Sequence, residues 1–265
     1  MNKVIYGTDG RMEIYEAPFY AELAKSTAIQ MPNRFITPVG NDFQISPSTF
    51  KRSYDLCGPE RFETQPALGR CTGFLVAPDI LVTAGHCMHY AEDCKEKTWI
   101  FDYVAKEDGT VDSLIPEQNV YHCASIISQY YEETSDNDYA VIRLDRPALD
   151  RAPLKFRTAG KIDNYPDLVV IGNPSGLPTK VTLGGTMRSN THDLFFTANL
   201  DTFGGNSGSP VFDMNTGLVE GIVVRGESDF NYDSDRSCFV LNKCSEGECR
   251  GEDVLRITNI LPFIE

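Results

Sequence analysis

Apolar positions follow two different rhythms along this 265-residue chain. In residues 14–31, Tyr15, Phe19, Leu23 and then Ser26 and Ile29 fall near one face of a 3.6-residue period. Pro18 suits a first turn, so the spacing predicts a helix. Residues 32–70 are rich in Pro, Ser, Gly and Thr and read as an extended wrap. From residue 71 the rhythm changes. Short apolar runs (72–77, 80–84, 98–104, 138–144, 168–172, 194–198, 210–212 and 218–224) alternate with clusters of Gly, Pro, Asn and Asp. Many short strands separated by turn signals predict an all-β chain of antiparallel barrels or sandwiches. The segment 145–160, with Pro147 and Pro153, reads as the join between two halves, and 252–264 as a short closing helix. No internal repeat or low-complexity tract interrupts the pattern.

Composition narrows the classes. There are 24 Lys and Arg against 38 Asp and Glu, a formal net charge of −14. Phosphate recognition needs a basic surface, so this balance argues against nucleic acid as a partner. The acidic residues form no tail, which implies an acidic surface suited to solubility and cationic ligands. The apolar runs, such as Leu168-Val169-Val170-Ile171, are far shorter than a membrane span of about 18–20 residues, so no membrane partner is expected. No apolar stretch after Lys3 reads as a secretory h-region. The eight cysteines nevertheless read mostly as disulfides, which places the protein in an oxidising compartment with its leader removed. A cytosolic thiol or metal protein is the rival, weakened because no pair has the C-x-x-C spacing of a zinc knuckle.

Three segments carry chemistry. Leu81-Val82-Thr83-Ala84-Gly85-His86-Cys87 is an apolar strand that ends in small residues and delivers a histidine. Asn137-Asp138-Tyr139-Ala140-Val141-Ile142-Arg143-Leu144 places an aspartate at the head of an alternating strand. Gly204-Gly205-Asn206-Ser207-Gly208-Ser209-Pro210 sets a serine in a glycine-rich turn. A serine hydroxyl needs a neutral imidazole to take its proton and a carboxylate to hold the imidazole's tautomer. It also needs backbone N–H groups aimed at the developing oxyanion, and the glycines beside Ser207 let the chain turn sharply enough for the Gly205 and Ser207 amides to share that task. Asp136 and Asp145 compete with Asp138 for the third role; Asp138 is preferred because it directly precedes the alternating strand. His89, His122 and His192 read as surface or packing residues.

The order His86, Asp138, Ser207, together with Cys71-Thr72-Gly73-Phe74-Leu75-Val76 and the Gly-Asn-Ser-Gly-Ser-Pro block, resembles the chymotrypsin-like serine peptidases. The resemblance is closest to the bacterial branch that includes glutamyl endopeptidases, with Val4-Ile5 followed by Asp9-Gly10-Arg11 a looser match. It covers about residues 57–225 and implies two six-stranded antiparallel β-barrels with a catalytic cleft between them. Residues 1–50 then form an N-terminal extension of helix and wrap. Residues 51–150 form a first barrel carrying His86 and Asp138, and residues 151–265 a second carrying Ser207 and the C-terminal helix. The implied protein is a secreted or periplasmic, monomeric endopeptidase acting on protein or peptide substrates without a cofactor. A catalytically silent binding module on the same scaffold is the alternative.

The resemblance also implies a bridge between Cys71 and Cys87, closing a loop of ~15 residues worth ~3 kcal/mol by loop entropy. That pairing removes Cys87 from any metal site with His86 and His89. Cys94 with Cys123 is the next expected pair. Cys57, Cys238, Cys244 and Cys249 leave three pairings open, with Cys244 and Cys249 close enough for a small loop.

For specificity, Asp201 stands where trypsin-like members place the carboxylate floor of the primary pocket, and Thr202 suits either a basic or an acidic preference. Val223 occupies the position of the histidine found in glutamyl-specific relatives, so Arg or Lys at P1 is the preferred reading. The wall continues through Val224, Arg225 and Gly226, and a buried Asp201 is expected to pair with Arg225 or with the substrate cation. Asn206 replaces the aspartate that binds a freed N-terminal ammonium in animal relatives, so activation differs from theirs, and Lys3-Val4 is a candidate processing point. Asp229, Asn231, Asp233 and Asp235 alternate in a manner that could ligate Ca²⁺, but the loop lacks EF-hand spacing and reads as an acidic surface loop.

Overall fold

The computed structural model describes residues 4–46, 48–245 and 247–264. The first barrel contains β1 (Thr27–Pro32), β2 (Cys71–Ala77), β3 (Ile80–Thr83), β4 (Lys97–Ile100), β5 (Val120–Tyr131) and β6 (Asp138–Leu144). It closes in the order β5-β6-β3-β2-β1-β4. The second contains β7 (Leu168–Gly172), β8 (Lys180–Ser189), β9 (Phe195–Asn199), β10 (Pro210–Asp213), β11 (Leu218–Arg225) and β12 (Glu252–Arg256). Its order is β7-β10-β11-β12-β9-β8, and β7 pairs with β8 to close it. An N-terminal strand, Arg11–Glu13, adds to β8 from outside.

The apolar runs are continuous because the strands are covered on both faces. Successive side chains point to opposite sides of a strand. Leu75, Leu81, Ala140 and Ile142 therefore fill the first barrel around Trp99 and Phe101. Their neighbours Phe74, Val82 and Val141 point outward into a core shared with the second barrel, where they meet Val169, Ile171, Phe212, Ile222 and Val224. Val170, Phe196, Val211, Val223 and Val254 fill the second barrel in turn. This shared layer fixes the two halves against each other and so positions the cleft.

The helices expected at the two ends are present and shorter than the spacing suggested. Helix α1 spans only Ala21–Ala24, preceded by 3-10 turns at Ile14–Glu16 and Pro18–Tyr20. Residues 27–32 are β1, buried along its whole length, so the first barrel takes a strand from the segment expected to lie outside it. Phe19 is 87 % exposed, so the first part of the helical spacing faces solvent, while Leu23, Ser26 and Ile29 turn to the core. At the other end Glu252–Arg256 is β12, filling the gap between β11 and β9, and only Ile257–Phe263 is helical, as a 3-10 turn. The wrap contains a hairpin, Ile36–Val39 with Asp42–Ile45, and helix α2, Phe50–Tyr54, capped by the Thr49 hydroxyl.

All eight cysteines are bridged: Cys71–Cys87, Cys94–Cys123, Cys57–Cys238 and Cys244–Cys249. Cys57–Cys238 spans 181 residues and ties the wrap to a hairpin of the second half, Phe230–Asp233 with Cys238–Leu241. A buried polar network does the same for the N-terminal strand. The Lys180 ammonium donates to Glu13 Oε2 at 3.0 Å, Gln65 Oε1 at 2.9 Å and Pro178 O at 3.1 Å, while Gln65 Nε2 donates to Glu13 Oε1 at 2.7 Å. Burial pushes Lys180 down to about 8 despite Glu13.

Candidate active site

Strand β3 ends at Thr83, and the chain turns through Ala84 into a 3-10 turn, Gly85–Met88, that carries His86. The turn lies flat on β5 and β6. A Cβ on Gly85 would come within 2.0 Å of Tyr130 O and 2.8 Å of Tyr139 O, so only glycine fits. Asp138, the first residue of β6, is thereby brought under the histidine. Its Oδ1 accepts the His86 backbone N–H at 3.0 Å and its Oδ2 accepts Nδ1–H at 2.7 Å. One carboxylate thus fixes both backbone and ring, leaving Nε2 as the nitrogen able to accept a proton. The edge of Tyr131 packs on the ring at 5.7 Å.

The competing aspartates are engaged elsewhere. Asp136 pairs with Arg225 at 3.5 Å and faces His192 Nε2 at 3.4 Å, and Asp145 accepts the His122 N–H at 3.2 Å. His192 stacks on Phe195, and His89 packs against Tyr90 and Tyr131.

Ser207 lies in the turn leading into β10. Asn206 N–H donates to Phe203 O and Ser209 N–H to Asn206 O, both at 2.9 Å. Gly205 and Gly208 have φ of +101° and +90°, the region that glycine alone enters freely. A Cβ on Gly208 would also strike Thr72 O at 2.0 Å. Thr72 clamps the turn: its N–H donates to Ser207 O and its hydroxyl to Gly205 O, both at 2.8 Å. Thr72 adjoins Cys71, whose disulfide leads to Cys87 beside His86, and Cys87 Sγ lies 3.8 Å from Ser207 O. The strand holding the serine turn and the turn holding the histidine are therefore covalently joined. Ser207 itself is 2 % exposed. On the far side, Gly208 N–H donates to Val223 O at 2.8 Å and Val223 N–H to Ser209 O at 3.0 Å, seating the turn on β11.

Asp201 has a different duty from the one expected. Its Oδ1 accepts the Tyr6 N–H at 2.6 Å and its Oδ2 the Gly10 N–H at 2.7 Å. Arg225 does not pair with it; the guanidinium bonds Asp253 Oδ2 at 3.1 Å and Ser135 O at 3.1 Å, bridging the second barrel to the turn before Asp138. Two backbone donors replace the cation that burial of a carboxylate was expected to demand. Burial still dominates and pushes Asp201 up to about 6, with the Gly10 and Tyr6 N–H groups acting against it. Because the folded value lies above the ordinary 3.8, the group's stabilising contribution is complete below about pH 4 and lost as pH rises through 6. Urea unfolding from pH 4 to 7 is expected to show the chain losing about 3 kcal/mol relative to Asp201→Asn. A difference between the two that stays flat with pH overturns this assignment.

Thr202 is fully buried, and its hydroxyl has no partner among the described residues. Asn206 turns inward, its Oδ1 accepting the Ser209 hydroxyl at 3.2 Å. Val224 belongs to the shared core. Gly226 lies against the Glu252 carboxylate: a Cβ there would come within 1.7 Å of Oε2. Lys3, one half of the expected processing point, lies outside the described residues.

The calcium-like series is dispersed. Asp229 accepts the Gly204 N–H at 2.8 Å, Asn231 bonds Asn242, and Asp233 bonds Arg236. The one cluster with metal-ligand proximity among the described residues is Cys71, His86 and Cys87, whose two sulfurs are spent in a disulfide. Thr72 and Glu252 were given no role by the sequence reading, and Asp229 was given a different one. Each acts on a residue far along the chain, and only the position of Thr72 beside Cys71 pointed toward the site.

A two-barrel fold with this cleft defines a peptidase class, and comparison agrees. A family model described as the trypsin-like peptidase domain matches residues 71–222, more than half of the chain, and the chain belongs to that family. Among solved structures it is similar to a Glu endopeptidase in complex with MPD, with 17 % identity, coverage of 98 % of this chain and 97 % of that one, and a TM-score of 0.53. It is also similar to Rv3671c from M. tuberculosis H37Rv in an inactive mutant form, with 16 % identity, coverage of 98 % and 95 %, and a TM-score of 0.51. An inactive form of the Rv3671c protease gives 17 % identity, coverage of 95 % and 93 %, and a TM-score of 0.52. No curated protein sequence gives a significant match.

Proposed function

We propose that the chain is a serine endopeptidase working through an acyl-enzyme. The observation that carries this reading is the double grip of Asp138 on His86 beside a serine turn bound to the same disulfide-linked strand. His86 Nε2 takes the Ser207 hydroxyl proton as Oγ attacks the peptide carbonyl carbon. The Gly205 and Ser207 amides stabilise the oxyanion. The tetrahedral intermediate collapses as His86 returns the proton to the leaving amine, and water repeats the sequence to release the acid. Asp138 holds the tautomer throughout.

Arg or Lys at P1 remains the proposed preference, now resting on Glu252 in place of Asp201. Glu252 is fully buried, with its carboxylate against Gly226 at the end of the strand that seats the serine turn. A substrate cation reaching that carboxylate gains a charge-assisted bond in a desolvated wall. Processing at Lys3-Val4 stays part of the proposal, supported by the buried Val4 and by the pairing of Ile5 and Tyr6 with Lys243 and Cys244, which give the segment that follows a built seat. Four disulfides support a secreted or periplasmic location.

The test is hydrolysis of a peptide library before and after N-terminal trimming. Cleavage after Arg or Lys is expected from the chain beginning at Val4, with the preference falling about 10²-fold in Glu252→Gln. An unchanged profile in that variant, or cleavage after acidic residues, overturns the P1 assignment. Equal activity of trimmed and untrimmed chains overturns the processing step.

A further inference from the structure

In a chain of net charge −14, one cavity is built from cations. About 410 Å³ in volume, it is lined by Arg34, Arg70, Lys95 and Lys97, with Glu96 the single carboxylate on its wall. Lys97 is committed, bonding Asp93 at 2.9 Å and Cys87 O at 2.8 Å. Arg34, Arg70 and Lys95 form no ion pair with any carboxylate among the described residues, although acidic groups outnumber basic ones in the chain. A cluster that stays unpaired against the sign of the whole molecule focuses a local positive field.

The cavity is also framed rigidly. Asn33 Nδ2 donates to Lys95 O at 2.8 Å, and the Thr98 hydroxyl donates to Asn33 Oδ1 at 2.7 Å. The Cys94–Cys123 bridge anchors the turn that carries Lys95. Arg34 rests on the Phe35 ring at 4.7 Å. The backbone around the cavity is thus held in place, and the ordering left to a ligand is that of the exposed Arg34, Arg70 and Lys95 side chains.

Its position ties it to the cleft. Arg70 is joined directly to Cys71, whose bridge runs to Cys87, and Lys97 holds the carbonyl of Cys87, the residue after His86. Thr72, two residues beyond Arg70, holds Ser207 O. The cavity is thus linked through short covalent and hydrogen-bonded paths to both the histidine turn and the serine turn.

We propose that this cavity is a subsite for acidic side chains of the substrate, on one flank of the scissile bond. The inference rests on the peptidase reading above and adds a second specificity determinant to it. Arg70 and Arg34 present planar forks suited to carboxylates, and Lys95 adds a point charge.

The test measures binding and turnover separately. Fluorescence anisotropy follows peptides carrying a Glu pair, or the matching Gln pair, at successive positions on either side of the cleavage point. The protein is Ser207→Ala, both as the full chain and as the chain beginning at Val4. The expected result is about tenfold tighter binding of the Glu peptide on one flank only. The preference is expected to vanish in Arg70→Gln/Lys95→Gln and in high salt, and to survive in the charge-retaining Arg70→Lys/Lys95→Arg. Equal binding of Glu and Gln peptides, a preference on both flanks, or a preference that survives charge removal overturns the proposal. A sulfated polysaccharide that binds while the Glu peptides show no advantage also overturns it. Hydrolysis of neutral peptides without any Glu preference sinks this inference alone. A Glu preference in binding with no hydrolysis of any peptide by the unmutated chain sinks the peptidase reading and leaves the acidic-peptide site standing.

Discussion

Ser207→Ala is expected to lower kcat for peptide hydrolysis by about 10⁶-fold, leaving only the residual acceleration that substrate binding and the oxyanion hole supply. The magnitude follows from removing the proposed nucleophile; the neighbouring Ser209 hydroxyl is committed to Asn206 Oδ1 at 3.2 Å. The fold is expected to hold, because Ser207 contributes its carbonyl to Thr72 through the backbone, which alanine retains. Single-turnover kinetics on a cleavable peptide reads the loss. A fluorophosphonate probe supplies the chemical check: one adduct per unmodified chain, located on Ser207 by mass, and none on the alanine variant. Residual turnover within tenfold of the unmodified chain means that another group is the nucleophile.

Asp138→Asn is expected to lower kcat by about 10⁴-fold with little change in KM, a magnitude taken from triads of this type. The carboxylate accepts two N–H groups at once, the His86 backbone at 3.0 Å and the ring Nδ1–H at 2.7 Å. An asparagine has a single accepting oxygen. If that oxygen keeps the backbone N–H, the amide NH₂ faces Nδ1 and forces the proton onto Nε2, so the ring can no longer accept from Ser207. If the oxygen turns to Nδ1, the amide donor collides with the backbone N–H and the turn at Gly85–Met88 loses its anchor. The first outcome removes the base; the second keeps the tautomer but lets the ring drift from the position the two bonds set. The pH profile separates them from simple unfolding, because activity is expected to recover in part at high pH while the melting temperature stays close to that of the unmodified chain. An activity loss below tenfold removes Asp138 from the relay.

The parts of this protein legible in sequence are those whose chemistry is local. The turn around Ser207 must enter positive φ twice, at Gly205 and Gly208, so glycines bracket the serine. Gly85 must lie within contact of two carbonyls, so a small residue precedes His86. The strands from residue 71 onward showed through their apolar runs, since a strand covered on both faces has no polar side to interrupt it. That same double burial hid β1. Thr27–Pro32 lacks polar–apolar alternation, and the upstream spacing of Tyr15, Phe19 and Leu23 extended a helical reading across it, although Phe19 points to solvent. Strand β12 was missed for a related reason: its identity depends on the gap between β9 and β11.

By itself, then, the order of residues determined the candidate catalytic types, their succession along the chain and an all-β class of antiparallel barrels or sandwiches, because each depends on side-chain chemistry or on backbone freedom over a few neighbouring positions. Tertiary structure alone decided where the charges went. Asp201 meets two backbone N–H groups from the N-terminal segment, Arg225 crosses to Asp253, Glu252 settles behind Gly226, and four cations gather around one cavity. Charged side chains reach partners through space, across separations of up to 195 residues. A backbone N–H, which every residue but proline carries, leaves no mark in the sequence when it replaces a cation.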